Sequence, residues 1–322
     1  MRSGQWLGWT FILVVLMLVV VSVIGRLAYQ GPAYSAENYQ IDAAGDTLII
    51  GASHAATALN PDHLDGAISV ARSGEPLFFT YYKTRQLLAS NPGIERVIVA
   101  LSSIHVCGFA DYSFFSGNSA SRIQSMNYYP LLDDEKDPLL PIFSADRLLS
   151  FLKYKVGVPF NYMDDTKVVL KHYTGSLQPN DFRFFGGFES FDETHLESAE
   201  VLEKAAFYFY GDDDVPVLSE VGRESIRRLF TLSESHDVDV FVIRTPEHAS
   251  FWRATPQLCQ DEYLDVVETG ARENERVQFY DYGKLELPDD HFLDGDHLNQ
   301  VGSEVFSKLL QARMTQSGSA TP

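Results

Sequence analysis

The chain has 322 residues, of which 45% are hydrophobic, 13% aromatic and 21% charged. Those fractions exclude wholesale disorder and the collagen, coiled-coil and disulfide-scaffold classes. With 44 acidic residues against 25 basic ones the formal charge is −19. A chain this acidic repels polyanions, so neither nucleic acid nor an electrostatically docked anionic membrane surface is expected as a partner.

The first predicted element is an uncharged apolar run from Leu7 to Ile24, bounded by Arg2 and Arg26. As a helix it spans about 27 Å, close to the hydrocarbon thickness of a bilayer. It is apolar on every face, which argues against a buried soluble helix. It reads as an N-terminal transmembrane helix, with the short tail inside and the body extracytoplasmic, in a periplasm or at the cell surface. The competing reading is a cleaved signal peptide, for which Ala33-Tyr34-Ser35 offers a small-x-small site. The run is longer than the usual signal core of about 7–15 residues. The plan is therefore an anchor over 1–26, a linker over 27–45 containing Gly31-Pro32, a domain over 46–316 and a polar tail over 317–322.

Within the domain, short apolar runs alternate with helical patterns. Strands are predicted in the run Thr47–Ser53, which ends in a Gly-x-Ser turn leading into a helix, and at Ala67–Ala71, Arg96–Leu101, Val238–Arg244 and Val277–Asp281. Helices are predicted at Glu75–Ser90, Ser219–His236, Gln257–Asn274 and Gln300–Thr315, with Asn299 as N-cap of the last. Alternation of this kind predicts an α/β three-layer sandwich around a five-stranded parallel sheet. Ligands of such sheets bind outside the carboxyl ends of the strands, where Ser53, Gly74 and Ser102 fall. Residues 105–215 interrupt the alternation and read as a large insertion after the third strand, rich in Tyr and Phe. Helices are predicted there at Ser144–Lys155 and Thr194–Phe209, the second opening with a Thr194-x-x-Glu197 capping box. Its aromatic rings suit stacking on sugars, or fill the insertion's own small core.

Ser53 lies at a strand-to-helix turn, where backbone N–H groups can hold an oxyanion. The segment Asp294-Gly-Asp296-His297 near the C-terminus places a histidine three positions after a carboxylate. A protonated serine is a poor nucleophile and needs such a base. Asp294 can fold back across Gly295 to orient the ring, whereas Asp296 must reverse the chain to reach it. Asp296 is thus expected to act only through local charge, at a cost below about tenfold when neutralised. His54 either contacts substrate or points into its helix, and His105 reads as structural. Asp289, Asp290, Asp294 and Asp296 lack the terminal Glu of an EF-hand loop. No Cys/His spacing suggests zinc, and no cofactor or metal is expected. Cys107 and Cys259 form one bridge in an oxidising compartment, or are two separate buried thiols; both readings stay open.

Gly51-Ala-Ser53-His54-Ala resembles the Gly-Asp-Ser-(Leu/His) block of the SGNH/GDSL hydrolase superfamily. Asp294-Gly-Asp-His297-Leu-Asn-Gln-Val-Gly302 resembles its closing Asp-x-x-His block. The flavour of both is similar to single-pass cell-surface proteins of polysaccharide O-acylation, of the alginate-acetylation and teichoic-acid D-alanylation type. The resemblance covers about 45–315 without the insertion. It implies an SGNH/flavodoxin-like fold, with Ser53 as nucleophile, His297 as general base and Asp294 as its orienter. It also implies an oxyanion hole from the backbone N–H groups of Ser53 and Gly74. Two departures stand out. Ala52 replaces the usual Asp, and Ser102 or Ser103 stands where the family's third block carries an oxyanion Asn. The implied activity is a serine O-acyltransferase or esterase acting on O-acyl groups, O-acetyl above all, of an extracytoplasmic polysaccharide. Its implied partners are that glycan and a membrane-bound O-acyltransferase. The alternative is a catalytically weak or inactive partner of the same fold that binds either of them.

Overall fold

The computed structural model describes residues 9–13, 15–17, 19–20, 23, 39–41, 45–112, 174, 186–210 and 215–318. Five strands form one parallel sheet: β1 (Thr47–Gly51), β2 (Ala67–Ser69), β3 (Arg96–Ala100), β4 (Asp239–Arg244) and β5 (Val277–Asp281). Their order is β2-β1-β3-β4-β5, a doubly wound, flavodoxin-like order whose direction reverses between β1 and β3. The helices in chain order are α1 (Ser53–Ala58), α2 (Leu77–Ser90), α3 (Gly108–Asp111), α4 (Ser198–Phe209), α5 (Glu220–His236), α6 (Ala249–Ala254), α7 (Gln257–Glu273) and α8 (Gln300–Gly318).

The pleat sorts the strand residues between two cores. Leu48, Ile50, Val97, Val99, Val240 and Val242 face one side, with Leu87 of α2, Leu229 of α5 and Val267 of α7. Their alternating neighbours Ile49, Ile98, Ala100, Phe241 and Ile243 face the other, with Ala55 of α1 and Phe306 of α8. Side chains on a strand point to opposite faces in turn, so a strand buried on both faces is apolar throughout. That explains the continuous apolar runs from which the strands were predicted.

Several element ends differ from the expected ones, two helix starts among them. The helix expected from Glu75 begins at Leu77, because Pro76 takes the extended N-cap position. The helix expected from Thr194 begins at Ser198, with Glu197 as N-cap and no side-chain cap bond. The capping box does not form: the Thr194 hydroxyl instead accepts from the Asn299 amide at 3.4 Å, and the His195 N–H donates to the Leu293 carbonyl. The two cysteines form a disulfide, Cys107–Cys259, with Cα atoms 6.1 Å apart and 152 positions between them in sequence. It ties the segment just after β3 to α7. The chain-entropy account gives a loop of this length about 5 kcal/mol.

In the N-terminal run the described positions between Trp9 and Val23 are helical, with exposed side chains. Among the described residues no helix is long and apolar enough to cross a membrane. The rest of the Leu7–Ile24 run, most of the linker and the expected Ser144–Lys155 helix lie outside the described residues.

Candidate active site

The site lies at the carboxyl end of β1, beside the point where the strand order reverses. Gly51 closes the strand at φ 123°, a conformation that side chains disfavour and glycine permits. The chain then enters α1 with Ala52, not Ser53, in the N-cap position. The Ser53 hydroxyl is therefore not spent on capping. It lies 2.8 Å from Nε2 of His297, although 244 positions separate the two residues.

The loop before α8 carries the partners. Oδ1 of Asp294 accepts the backbone N–H groups of Asp296 and His297, each at 3.1 Å. Both carboxylate oxygens lie 3.0 Å from His297 Nδ1. One side chain thus folds its own loop and faces the ring. Gly295 has no positive φ; a side chain there would press on Phe251 and Val201 at 3.1–3.2 Å. Close packing, rather than turn freedom, explains this glycine. Asn299 caps α8, accepting the Gly302 N–H at 3.0 Å.

Gly74 sits in the loop after β2 at φ 72°. Below it, buried Glu75 bonds Lys83 at 2.7 Å and accepts from Thr80 at 2.7 Å. Lys83 also donates to the Val70 carbonyl at 2.6 Å. Among the described residues, the backbone N–H groups of Ser53 and Gly74 are not taken up by another group. Both residues border a cavity of about 50 Å³ whose apolar wall includes Pro76, Leu77, Phe78, Ile104, Phe109 and Val221.

Asp296 is not the bystander expected from sequence. Its side chain is fully buried, with Oδ2 2.9 Å from His54 Nε2 and Oδ1 2.5 Å from Lys204 Nζ. The second contact is an ion pair whose angles do not make a hydrogen bond, since Oδ1 has no hydrogen-bonded partner. Burial alone raises a carboxyl pKa. Here the neighbouring His297 ring, the Lys204 ammonium and the bond from His54 outweigh it and hold Asp296 well below the carboxylate range.

His54 is also buried, at 1% exposure. Its Nδ1 faces the Ser102 hydroxyl at 3.2 Å. Burial holds its imidazole below the ordinary value, against the pull of Asp296. With both ring nitrogens turned to protein groups, His54 supports the site from beneath, in place of the substrate contact considered from sequence. The same bond removes Ser102 as an oxyanion donor: its hydroxyl is buried and committed to His54. Ser103 is fully buried as well.

Lys204 of α4 was not singled out in the sequence. It donates to Asp294 Oδ2 at 2.7 Å and approaches His297 Nδ1 at 3.0 Å. Burial works against its charge, but Asp296 and Asp294 hold its pKa above the ordinary lysine value. His54, Asp296 and His297 also bring ligand-type atoms within 4.8 Å of one another. Those atoms are already engaged with each other, with Lys204 and with Ser53, and no metal is assigned to them.

No family model and no curated protein matches the chain.

His105 lines the cavity and accepts the Ser102 N–H on Nδ1 at 3.0 Å. A backbone hydrogen has a fixed direction, so Nδ1 is the unprotonated nitrogen. Burial, with His54 beside it, pushes the His105 pKa down to about 3. The folded value is depressed, so its contribution to stability is present above about pH 6.5 and is lost as pH falls toward 3. Between pH 6.5 and 5 that loss is about 2 kcal/mol. Glu247, pushed up by burial to about 7, works in the opposite sense. The expected result is a melting temperature that falls more steeply on acidification in wild type than in His105→Gln. Equal slopes in thermal scans from pH 7 to 5 would show that His105 is not the group responsible.

Proposed function

We propose that the chain is a membrane-anchored, extracytoplasmic serine acyltransferase or esterase of the SGNH type. Its substrates are O-acyl groups, O-acetyl above all, of a cell-surface or secreted polysaccharide. The observation that carries this reading is the 2.8 Å contact between Ser53 Oγ and His297 Nε2, with Asp294 on the far side of the ring. In this reading His297 takes the Ser53 proton as Oγ attacks the ester carbonyl. Asp294 fixes the ring and stabilises the imidazolium that forms. The backbone N–H groups of Ser53 and Gly74 receive the developing oxyanion. His297 then returns the proton to the leaving sugar oxygen, and the acyl group stays on Ser53 as an ester. Water or a second sugar hydroxyl, deprotonated by His297, completes the turnover. A cavity of about 50 Å³ with apolar walls suits a short, uncharged acyl chain, since one water-sized sphere takes about 10–15 Å³ on this measure.

The second reading is a partner of the same fold that binds glycan or a membrane-bound O-acyltransferase without chemistry of its own. Commitment of the Ser102 hydroxyl to His54 favours it, because the loss of one oxyanion donor costs about 2.7–4 kcal/mol. A fluorophosphonate probe separates the two. Stoichiometric labelling of Ser53, with hydrolysis of an aryl acetate, supports the enzyme; no labelling at pH 6–9 supports the partner.

Localisation has its own test. The apolar run at Leu7–Ile24 and the disulfide both favour a body outside the cytoplasm. A reporter fused after Pro322 is expected to be active only there. Activity of that fusion inside the cell would overturn the localisation and the glycan substrate together.

A further inference from the structure

The ring of His297 stands among an unusual set of charges. From its own loop come Asp294, with both oxygens 3.0 Å from Nδ1, and Asp296, with Oδ1 at 3.6 Å. From α1 come Ser53 on Nε2 and His54, whose ring centre is 5.0 Å away. Behind His54 stands His105, after β3, at 5.8 Å between ring centres. From α4 comes Lys204, 3.0 Å from Nδ1. A serine triad has one carboxylate behind its histidine; this site has two. Two negative charges so close to one imidazole favour the imidazolium, which cannot take a proton from serine. Lys204 supplies the opposing charge, pairing with Asp294 at 2.7 Å and Asp296 at 2.5 Å.

We propose that Lys204 is a positioning residue that balances the second carboxylate, so that His297 stays a neutral base and Asp294 serves as its single orienter. The inference rests on the reading of Ser53 and His297 as nucleophile and base. The placement is built into α4. Val201, Lys204, Ala205 and Tyr208 share one helix face, and the other three are buried. The Lys204 ammonium also lies 5.7 Å from the Tyr208 ring centre, and Tyr208 borders the cavity beside Ser53. The segment between β3 and α5 therefore supplies the charge that tunes the base.

The test is the pH dependence of Ser53 labelling by a fluorophosphonate in the full chain, with a parallel NMR titration of the His297 ring. Lys204→Met is expected to move the acid limb of labelling, and the His297 titration, upward by at least about one pH unit. That is the Coulomb effect of one charge at this distance even at the dielectric of water. Lys204→Gln gives the same shift if the methionine variant folds poorly. Lys204→Arg keeps the wild-type limb, ethylammonium moves the limb of Lys204→Ala back down, and Glu203→Ala on the exposed face of α4 changes nothing. A loss of labelling that is uniform across pH, with the His297 titration unmoved, would overturn the proposal and leave Lys204 a structural ion pair. The NMR arm also separates the two readings. A His297 titration that shifts in Lys204→Met, in a chain whose Ser53 never labels, faults the esterase and upholds the role of Lys204.

Discussion

Ser53→Ala is expected to remove essentially all turnover of an aryl acetate, about 10⁴–10⁶-fold, while the melting temperature stays within a few degrees of wild type. The chemical half follows from the absence of any other hydroxyl at His297 Nε2 among the described residues. The stability half follows from local structure. Ser53 is half-buried, and Ala52 holds the N-cap position of α1, so losing the hydroxyl removes no helix cap. It forfeits one hydrogen bond to a partly accessible ring, worth about 1 kcal/mol. The measurements are initial rates on one activated ester and a thermal scan. Turnover at the wild-type rate would make Ser53 a turn residue and put the non-catalytic partner reading first.

Asp294→Asn is expected to lower turnover about 10²–10⁴-fold with little change in melting temperature. The amide oxygen still accepts the Asp296 and His297 N–H groups, so the loop holds. The charge that stabilises the imidazolium is gone. Asp296→Asn fails in a different way. Its carboxylate is fully buried between His54 and Lys204, and removing one partner of a buried pair costs about 3–5 kcal/mol. The melting temperature should therefore fall by roughly 10 °C. The pair of variants, measured for rate and melting at several pH values, tells orienter from scaffold. If Asp296→Asn melts like wild type yet turns over more slowly than Asp294→Asn, the triad must be redrawn around Asp296.

The two carboxylates also mark the limit of a linear reading. Asp294 and His297 share a loop, so their spacing carries information that backbone geometry preserves. The strands were legible for a similar local reason. A run such as Arg96–Ala100 is apolar throughout because both faces of the pleat are covered. The Gly-x-Ser turn at Ser53 and the Asp-x-x-His segment at His297 were readable as separate pieces. That both belong at one end of the sheet followed from the parallel alternation.

Lys204 left a fainter trace. It interrupts an otherwise apolar face formed by Val201, Ala205 and Tyr208, and a lysine in such a stripe marks a buried charge in want of a partner. Nothing local says which partner. Asp296 reads as a surface aspartate until His54 and Lys204 close over it. Ser102 reads as a free hydroxyl until His54 claims it.

The amino-acid sequence by itself determined the parallel α/β sheet, the succession of strands and helices along the chain and the two segments that carry Ser53 and His297. Each of these is written in neighbours a few positions apart, through the pleat, the helical turn and the loop. Only the tertiary structure decided the disulfide, the late start of α4, the burial of Asp296 and the approach of Lys204 to His297. Those pairings join α1, α4, α7 and the loop before α8, segments far apart in the chain. Strand order and helix packing bring them together, and no local pattern encodes which distant side chain will arrive.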